Sequence, residues 1–508
     1  MSRLLTLAAC AALAAGCATV RPEAAADDLR ATLAERADAP VLWRTDAAAD
    51  ARADSAVAAL LADSLSADAA VQVALLNNPG LQATYEDLGV AQASLVQAGL
   101  LRNPVFGGRA LWGLDEGGAP DLGFNVAFEF LDVLWLPLRK RVARSEYGAA
   151  RLRTAERVLD LAARTRSAYT RAQADRLRLE MEARIVQNAE AAHTAALLLR
   201  EAGTVPAAAY LAERARYEGA RVDLVRAEQA AMESREALTR TMGLASGAYR
   251  LGGRLRPVPD AEPLAEAYPT SAARAPEAGT PEAAMPGAAA PGAAAPETSG
   301  AALDVAALEA QALRASLALE AARYDAEAVA QRLGLAGAQA VLPELEIGGE
   351  LEREDGEWEA GPEVEIALPL LDGGQARRAA LRAELRRARA RYRATAVEVR
   401  SATRVLAARL GAARRVALQY QRVLLGLRQE LSAQTLRQYN AMQVGVFGLL
   451  QAQEAEAGAA RAYADALAAY WDARTDLDAL LAGRMPDLSR GAMPAASGGS
   501  EPMADPGH

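Results

Sequence analysis

The chain has 508 residues, of which 52% are hydrophobic, 5% aromatic and 24% charged, with a net charge of −9. Its cysteines, Cys10 and Cys17, sit near the N-terminus, and its histidines are His193 and His508. That inventory excludes a disulfide framework, a zinc cluster or a Ser-His-Asp triad in the body of the chain, and the negative charge speaks against a nucleic-acid partner.

Residues 1–16 read as a secretory signal, with Arg3 followed by the apolar run Leu4 to Ala15. Ala14-Ala15-Gly16-Cys17 resembles a lipoprotein cleavage box, although Leu13 stands one place early. Cys17 is therefore expected to be the acylated N-terminus, carrying lipid such as palmitate. Residues 17–65 are an anchor and lead-in.

The remainder reads as one unit written twice, over 66–256 and 304–484. Each copy runs helix, strand pair, long helix, break, second helix. In the first copy Ala69 to Leu101 is helical in pattern, with a turn at Asn77-Asn78-Pro79-Gly80, and strands are expected at 104–113 and 121–135. A helical hairpin follows over 138–244, breaking at Gly203-Thr204-Val205, and His193 lies on it as a surface or packing residue; in both copies the chain is expected to reverse at the glycine of the break. Between the copies, 257–303 is rich in Pro and Ala and is expected to be a disordered linker. In the second copy a helix is expected over Ala307 to Val341, strands at 344–353 and 361–368, and a hairpin over 375–482 that breaks at Val444-Gly445-Val446. A disordered tail is expected over 485–508.

The strands alternate. Phe124, Phe128 and Phe130 share one parity, and Glu129 lies on the other. Leu345 and Ile347 alternate with Glu344, Glu346, Glu350 and Glu352, and Val364 and Ile366 with Glu363 and Glu365. Two readings stay open. One is a soluble sheet with its apolar face on a helix. The other is a transmembrane barrel with those apolar residues toward lipid and the glutamates toward the lumen. Four strands cannot close a barrel, since the smallest membrane barrels use about eight. The second reading therefore needs several chains.

Three stretches, Ala74 to Pro104 (ALLNNPGLQATYEDLGVAQASLVQAGLLRNP), Leu368 to Leu385 (LPLLDGGQARRAALRAEL) and Leu449 to Gly483, make the chain resemble the TolC-type outer membrane factor family. The resemblance covers nearly the whole mature chain apart from the linker and tail. It implies a mainly α fold with a small β part: duplicated helical hairpins and four strands per chain. Three chains would form a 12-stranded transmembrane β-barrel continuous with an α-helical periplasmic tunnel. It further implies an exit duct of a tripartite efflux or type I secretion system. The partners would be a periplasmic adaptor (membrane fusion protein) and an inner-membrane pump of the RND or ABC type. The adaptor would dock at the tips Gly203, Thr204, Val205 and Val444, Gly445, Val446. The second tip resembles the family's Val-Gly-apolar pattern; the first has Ala202 before its glycine.

No Gly-rich phosphate loop with lysine appears, so a passive conduit is expected, without cofactor, metal or enzymatic activity. The alternatives are a lipid-anchored periplasmic coiled-coil scaffold or an adaptor without a channel.

Overall fold

A computed structural model describes residues 21–34, 36, 41–112, 120–259, 303–341, 345–354, 357–367 and 371–487. Cys17, Glu344, the signal and most of the linker and tail lie outside the described residues.

The lead-in holds two helices that the sequence pattern did not announce, α1 (Pro22–Ala34) and α2 (Ala47–Ala62). Asp46 caps α2 by accepting from Ala49 N–H. Leu29 and Leu33 of α1 are fully buried, so this segment is part of the core.

The stretch 69–101 is two helices divided at the expected turn, and the single helix expected over 307–341 is two as well. α3 (Ala67–Asn77) gives way to α4 (Pro79–Gln97), and α7 (Val305–Ala315) to α8 (Leu317–Gln339). Asn78 and Ser316 make the breaks, their side chains capping the following helix at Leu81 N–H and Leu319 N–H. Pro79 then starts α4 where no intrahelical N–H is needed.

Two hairpins of long helices form the body. The first is α5 (Leu131–Glu201) and α6 (Ala207–Thr241). With 71 residues, α5 is about 105 Å long at roughly 1.5 Å per residue. The second is α9 (Gln375–Gln419), continued through a π-turn at Tyr420–Leu424 into α10 (Leu425–Asn440), and then α11 (Val446–Leu481). Each hairpin ends on a glycine with positive φ, Gly243 and Gly483. Each glycine packs on the break between the short helices of its own copy. A Cβ on Gly243 would strike Asn77 O and one on Gly483 would strike Ala315 O. Asn77 Nδ2 donates to Gly243 O at 2.8 Å, and Leu317 N–H donates to Gly483 O at 3.0 Å.

The sheet has the order β1-β2-β3-β4, antiparallel throughout: β1 (Val105–Leu111), β2 (Asp121–Glu129), β3 (Leu345–Glu354) and β4 (Glu357–Ile366). β2 is shorter than the expected 121–135. Phe130 already has helical φ and ψ, and α5 runs straight through Pro137. Asp132 fixes that start: its buried carboxylate accepts from Arg139 at 3.0 Å and lies 3.7 Å from Arg102. β4 begins at Glu357 rather than 361, because its ladder with β3 extends to the pair Glu354 and Glu357.

The helices beneath follow the strands. α4 leads into β1, β2 into α5, α8 into β3 and β4 into α9, and the neighbours α4–α5, α5–α8 and α8–α9 pack together. One core joins α1, α3, α4, α5 and α6 around Tyr85, Leu88, Leu152 and Leu238. A second joins α7, α9 and α11 around Leu308, Leu406, Tyr470 and Leu477. Val258 belongs to the second core, and Leu303 packs on its edge. The chain ordered across the units is thus longer than the 257–303 linker boundary implied. Gln421 grips the backbone of Val258, accepting from its N–H at 3.1 Å. At the other end Arg484, only 4% exposed, pairs with Asp160 at 2.8 Å and Asp476 at 3.2 Å.

Candidate functional site

The register places directly opposed residues on the same face of the sheet. Phe124 lies opposite Gly108 and Leu351, Phe128 opposite Ile347, Ile347 opposite Val364, and Leu345 opposite Ile366. One face is therefore continuous and apolar across the four strands. Phe106, Phe124 and Trp358 stack along it, with ring centroids 6.1 and 6.4 Å apart. Phe106, Trp358, Val364 and Ile366 are each more than half exposed. Among the described residues the strands pack substantially only on one another, and no described helix covers this face as the soluble-sheet alternative expected.

The other face is acidic. Glu129, Glu346 and Glu365 stand in one row across three strands, each opposite the next. Glu350, Glu352 and Glu363 share that face, as do Glu357 and Glu359. Like charges directly opposite destabilise a sheet, and few cations offset them. Arg102 pairs with Glu129 at 2.6 Å, and Arg109 pairs with Glu352 and lies 3.9 Å from Glu350.

Phe130 departs from the expected set. It sits past the end of β2, as the residue capping α5, although its N–H still donates to Leu345 O at 3.0 Å. Trp358, Glu357 and Glu359 lie outside the strand expected at 361–368, because the fourth strand starts at Glu357. Their alternation was the available signal.

The tips are exposed turns that share one hydrogen-bond pattern. At the first, Gly203 N–H donates to Arg200 O and Thr204 N–H to Leu199 O. At the second, Met442 N–H donates to Tyr439 O and Gln443 N–H to Gln438 O. Val205 therefore corresponds to Val444, and Pro206 to Gly445. Both latter residues are extended and begin the next helix, at φ −71 and φ −72. Gly445 does not reverse the chain; Met442 does, at φ 59. The expectation that glycine turns both tips holds only for Gly203. His193 lies on α5, stacked 5.6 Å from Tyr217 and 5.4 Å from Tyr210 of α6.

Among the described residues no helix is long and apolar enough to cross a membrane, and no group of three His, Cys, Asp or Glu could hold a metal ion.

No protein-family model matches the chain, and no curated protein matches it in sequence. Solved structures do match. The outer-membrane channel OprN is similar at a TM-score of 0.61, with 16% identity, over 88% of this chain and 93% of that one. The outer membrane protein VceC of Vibrio cholerae gives 0.56 at 17% identity, over 83% and 97%. The open state of the MtrE outer membrane channel of Neisseria gonorrhoeae gives 0.59 at 15%, over 82% and 88%. The chain has the fold of these outer-membrane channel proteins, the TolC-type fold that its sequence resembles.

Proposed function

We propose that the chain is one subunit of a TolC-type outer-membrane channel, a passive exit duct for substrates delivered by an inner-membrane pump through a periplasmic adaptor. One observation carries this reading: an open sheet, apolar and exposed on one face and carboxylate-lined on the other, at the end of long helical hairpins. Lipid does not tolerate an open sheet edge. Among the described residues β1 and β4 have no partner on their outer edges, so β4 of one copy can pair with β1 of the next until a ring closes. Three copies give twelve strands, the number that the family resemblance implies. The apolar face then meets lipid and the glutamate face lines the lumen.

The helices support several copies. Leu211, Val222, Val225 and Met232 of α6 are each at least half exposed, and so are Val416, Leu427 and Leu431 of α9 and α10. Their spacings of 11, three and seven, and of 11 and four, return each set to one side of its helix, as along a coiled-coil seam. In this reading Cys17 carries the lipid anchor in the outer membrane. The tips at 203–205 and 444–446 meet the adaptor in the periplasm, and direction and energy come from the pump, of RND or ABC type.

Native mass spectrometry of the mature protein extracted in mild detergent tests the assembly. Three copies, each with an acyl mass on Cys17, are expected. A monomer that stays soluble without detergent once Cys17 is replaced would mean that the strands never enter lipid.

A further inference from the structure

The helices just beneath the sheet carry a charge opposite to that of the sheet. From Gln375 to Val397, α9 has eight arginines and one glutamate. α5 has four basic residues and no acidic one between Arg139 and Arg144. Arg139 is held by Asp132. By contrast, among the described residues Lys140, Arg141, Arg144, Arg382 and Arg386 make no ion pair, and Arg378 only caps Gly373 O.

Arg378, Arg382, Arg386, Arg389 and Arg393 are spaced four, four, three and four, so they form one stripe along α9. Leu381, Leu385 and Ala388, the more buried side, lie about a quarter turn away, toward α8. The hand of the sheet fixes where the stripe points. Phe130 N–H donates toward β3 and shares its parity with the apolar face. For L-residues this means that β1 to β4 run from right to left, seen from the apolar side with the β1–β2 and β3–β4 hairpins uppermost. α9 then descends on the left edge with α8 on its right. A right-handed helix descending there turns the stripe to the apolar side of the wall. Above the basic residues on both helices are exposed apolar ones: Val133, Leu134 and Leu371 are 46%, 53% and 97% exposed. An apolar band thus gives way, within a few residues, to unpaired cations.

We infer that this collar is a docking surface for anionic phospholipid headgroups of the leaflet at the periplasmic end of the barrel. The inference rests on the outer-membrane reading above. Guanidinium and ammonium groups just outside the hydrocarbon attract phosphate without displacing any carboxylate of their own. An apolar band continuous with the collar sets a lipid, rather than a soluble anion, at that depth.

The test is lipid retention. The full-length protein is reconstituted in bilayer discs of zwitterionic and phosphatidylglycerol lipids at equal mole fraction, and the co-released lipids are counted by native mass spectrometry. Wild type is expected to keep phosphatidylglycerol about threefold over the zwitterionic lipid. R378E/R382E/R386E should bring the ratio to parity, while the same three changed to Lys should preserve it. Parity in wild type, or an unchanged ratio after charge reversal, overturns the inference while leaving the channel reading intact. So does charge reversal that breaks the oligomer with no lipid preference in wild type, which would make the stripe a contact between copies. A chain that never enters the bilayer overturns the channel reading itself.

Discussion

Gly203 and Met442 hold the same place in two copies of one turn, each the residue of positive φ just past its helix, at φ 72 and φ 59. Their N–H groups donate to equivalent carbonyls at 2.9 Å, Arg200 O and Tyr439 O. Only one of the two residues suits the conformation. A side chain at left-handed φ costs about 1 kcal/mol, and Met442 is also 95% exposed, so packing does not offset that cost.

Met442→Gly is therefore expected to stabilise the second tip by about 1 kcal/mol, and Gly203→Ala to destabilise the first by a similar amount. Amide hydrogen exchange at Gln443 and Thr204 measures both, since their N–H groups close the two turns. Faster exchange at Gln443 in Met442→Gly would contradict the assignment.

The same pair shows what the sequence could and could not yield. Duplication and strand alternation are patterns of order and parity, so they are legible along the chain. The residue of a turn that takes positive φ is fixed by hydrogen bonds, and aligning the tips on Gly203 and Gly445 put the second one three residues late. α2 escaped because its alanine-rich sequence shows little amphipathic pattern, whereas α1 was legible in principle, with Ala25, Ala26, Leu29 and Leu33 recurring at helical spacing. The inter-helix charges were illegible for another reason. Glu182 and Arg461 are far apart in sequence, and only the packing of α5 on α11 joins them.

That ion pair is 2.5 Å long, with the Glu182 side chain 5% exposed. Removing Arg461 would strand a buried carboxylate, so Arg461→Ala is expected to cost about 3 kcal/mol. Glu182→Gln together with Arg461→Met should recover most of that loss. Urea midpoints in detergent for the two variants and wild type decide it. A double variant no more stable than Arg461→Ala would show that the loss does not come from the stranded carboxylate.

The same seam is expected to respond to pH. Burial lifts Asp472 to about 6, against the smaller opposing effects of its Ser167 hydrogen bond and Arg171, with Asp476 adding to the rise. Its Oδ1 has no hydrogen-bond partner. Burial also raises Glu156, Asp175 and Asp465. A carboxyl with a raised folded pKa binds its proton more tightly when folded. Stability therefore falls as pH rises from the ordinary aspartate value of 3.8 to about 6 and is flat above. Asp472→Asn should be more stable than wild type at pH 7.5 by on the order of 2 kcal/mol, and equal to it near pH 3.5. A variant that loses stability at pH 7.5 would show that the charged form of Asp472 is what the seam requires.

The carboxylate face predicts ion selectivity. Glu129, Glu346 and Glu365 lie side by side, and in a closed ring every subunit would repeat that row. Such a ring attracts cations and repels anions. Bilayer recordings in a salt gradient should give a reversal potential on the cation side. Glu346→Gln should reduce it and Glu346→Lys should reduce it further, because the central residue of the row loses or inverts its charge. Both changes also relieve repulsion between opposed glutamates, so neither should weaken the sheet. The effect should fade at molar salt, where the Debye length shrinks to about 3 Å. Anion preference in wild type, or a potential indifferent to Glu346, would place these glutamates away from the conduction path and turn the acidic face of the sheet away from the lumen.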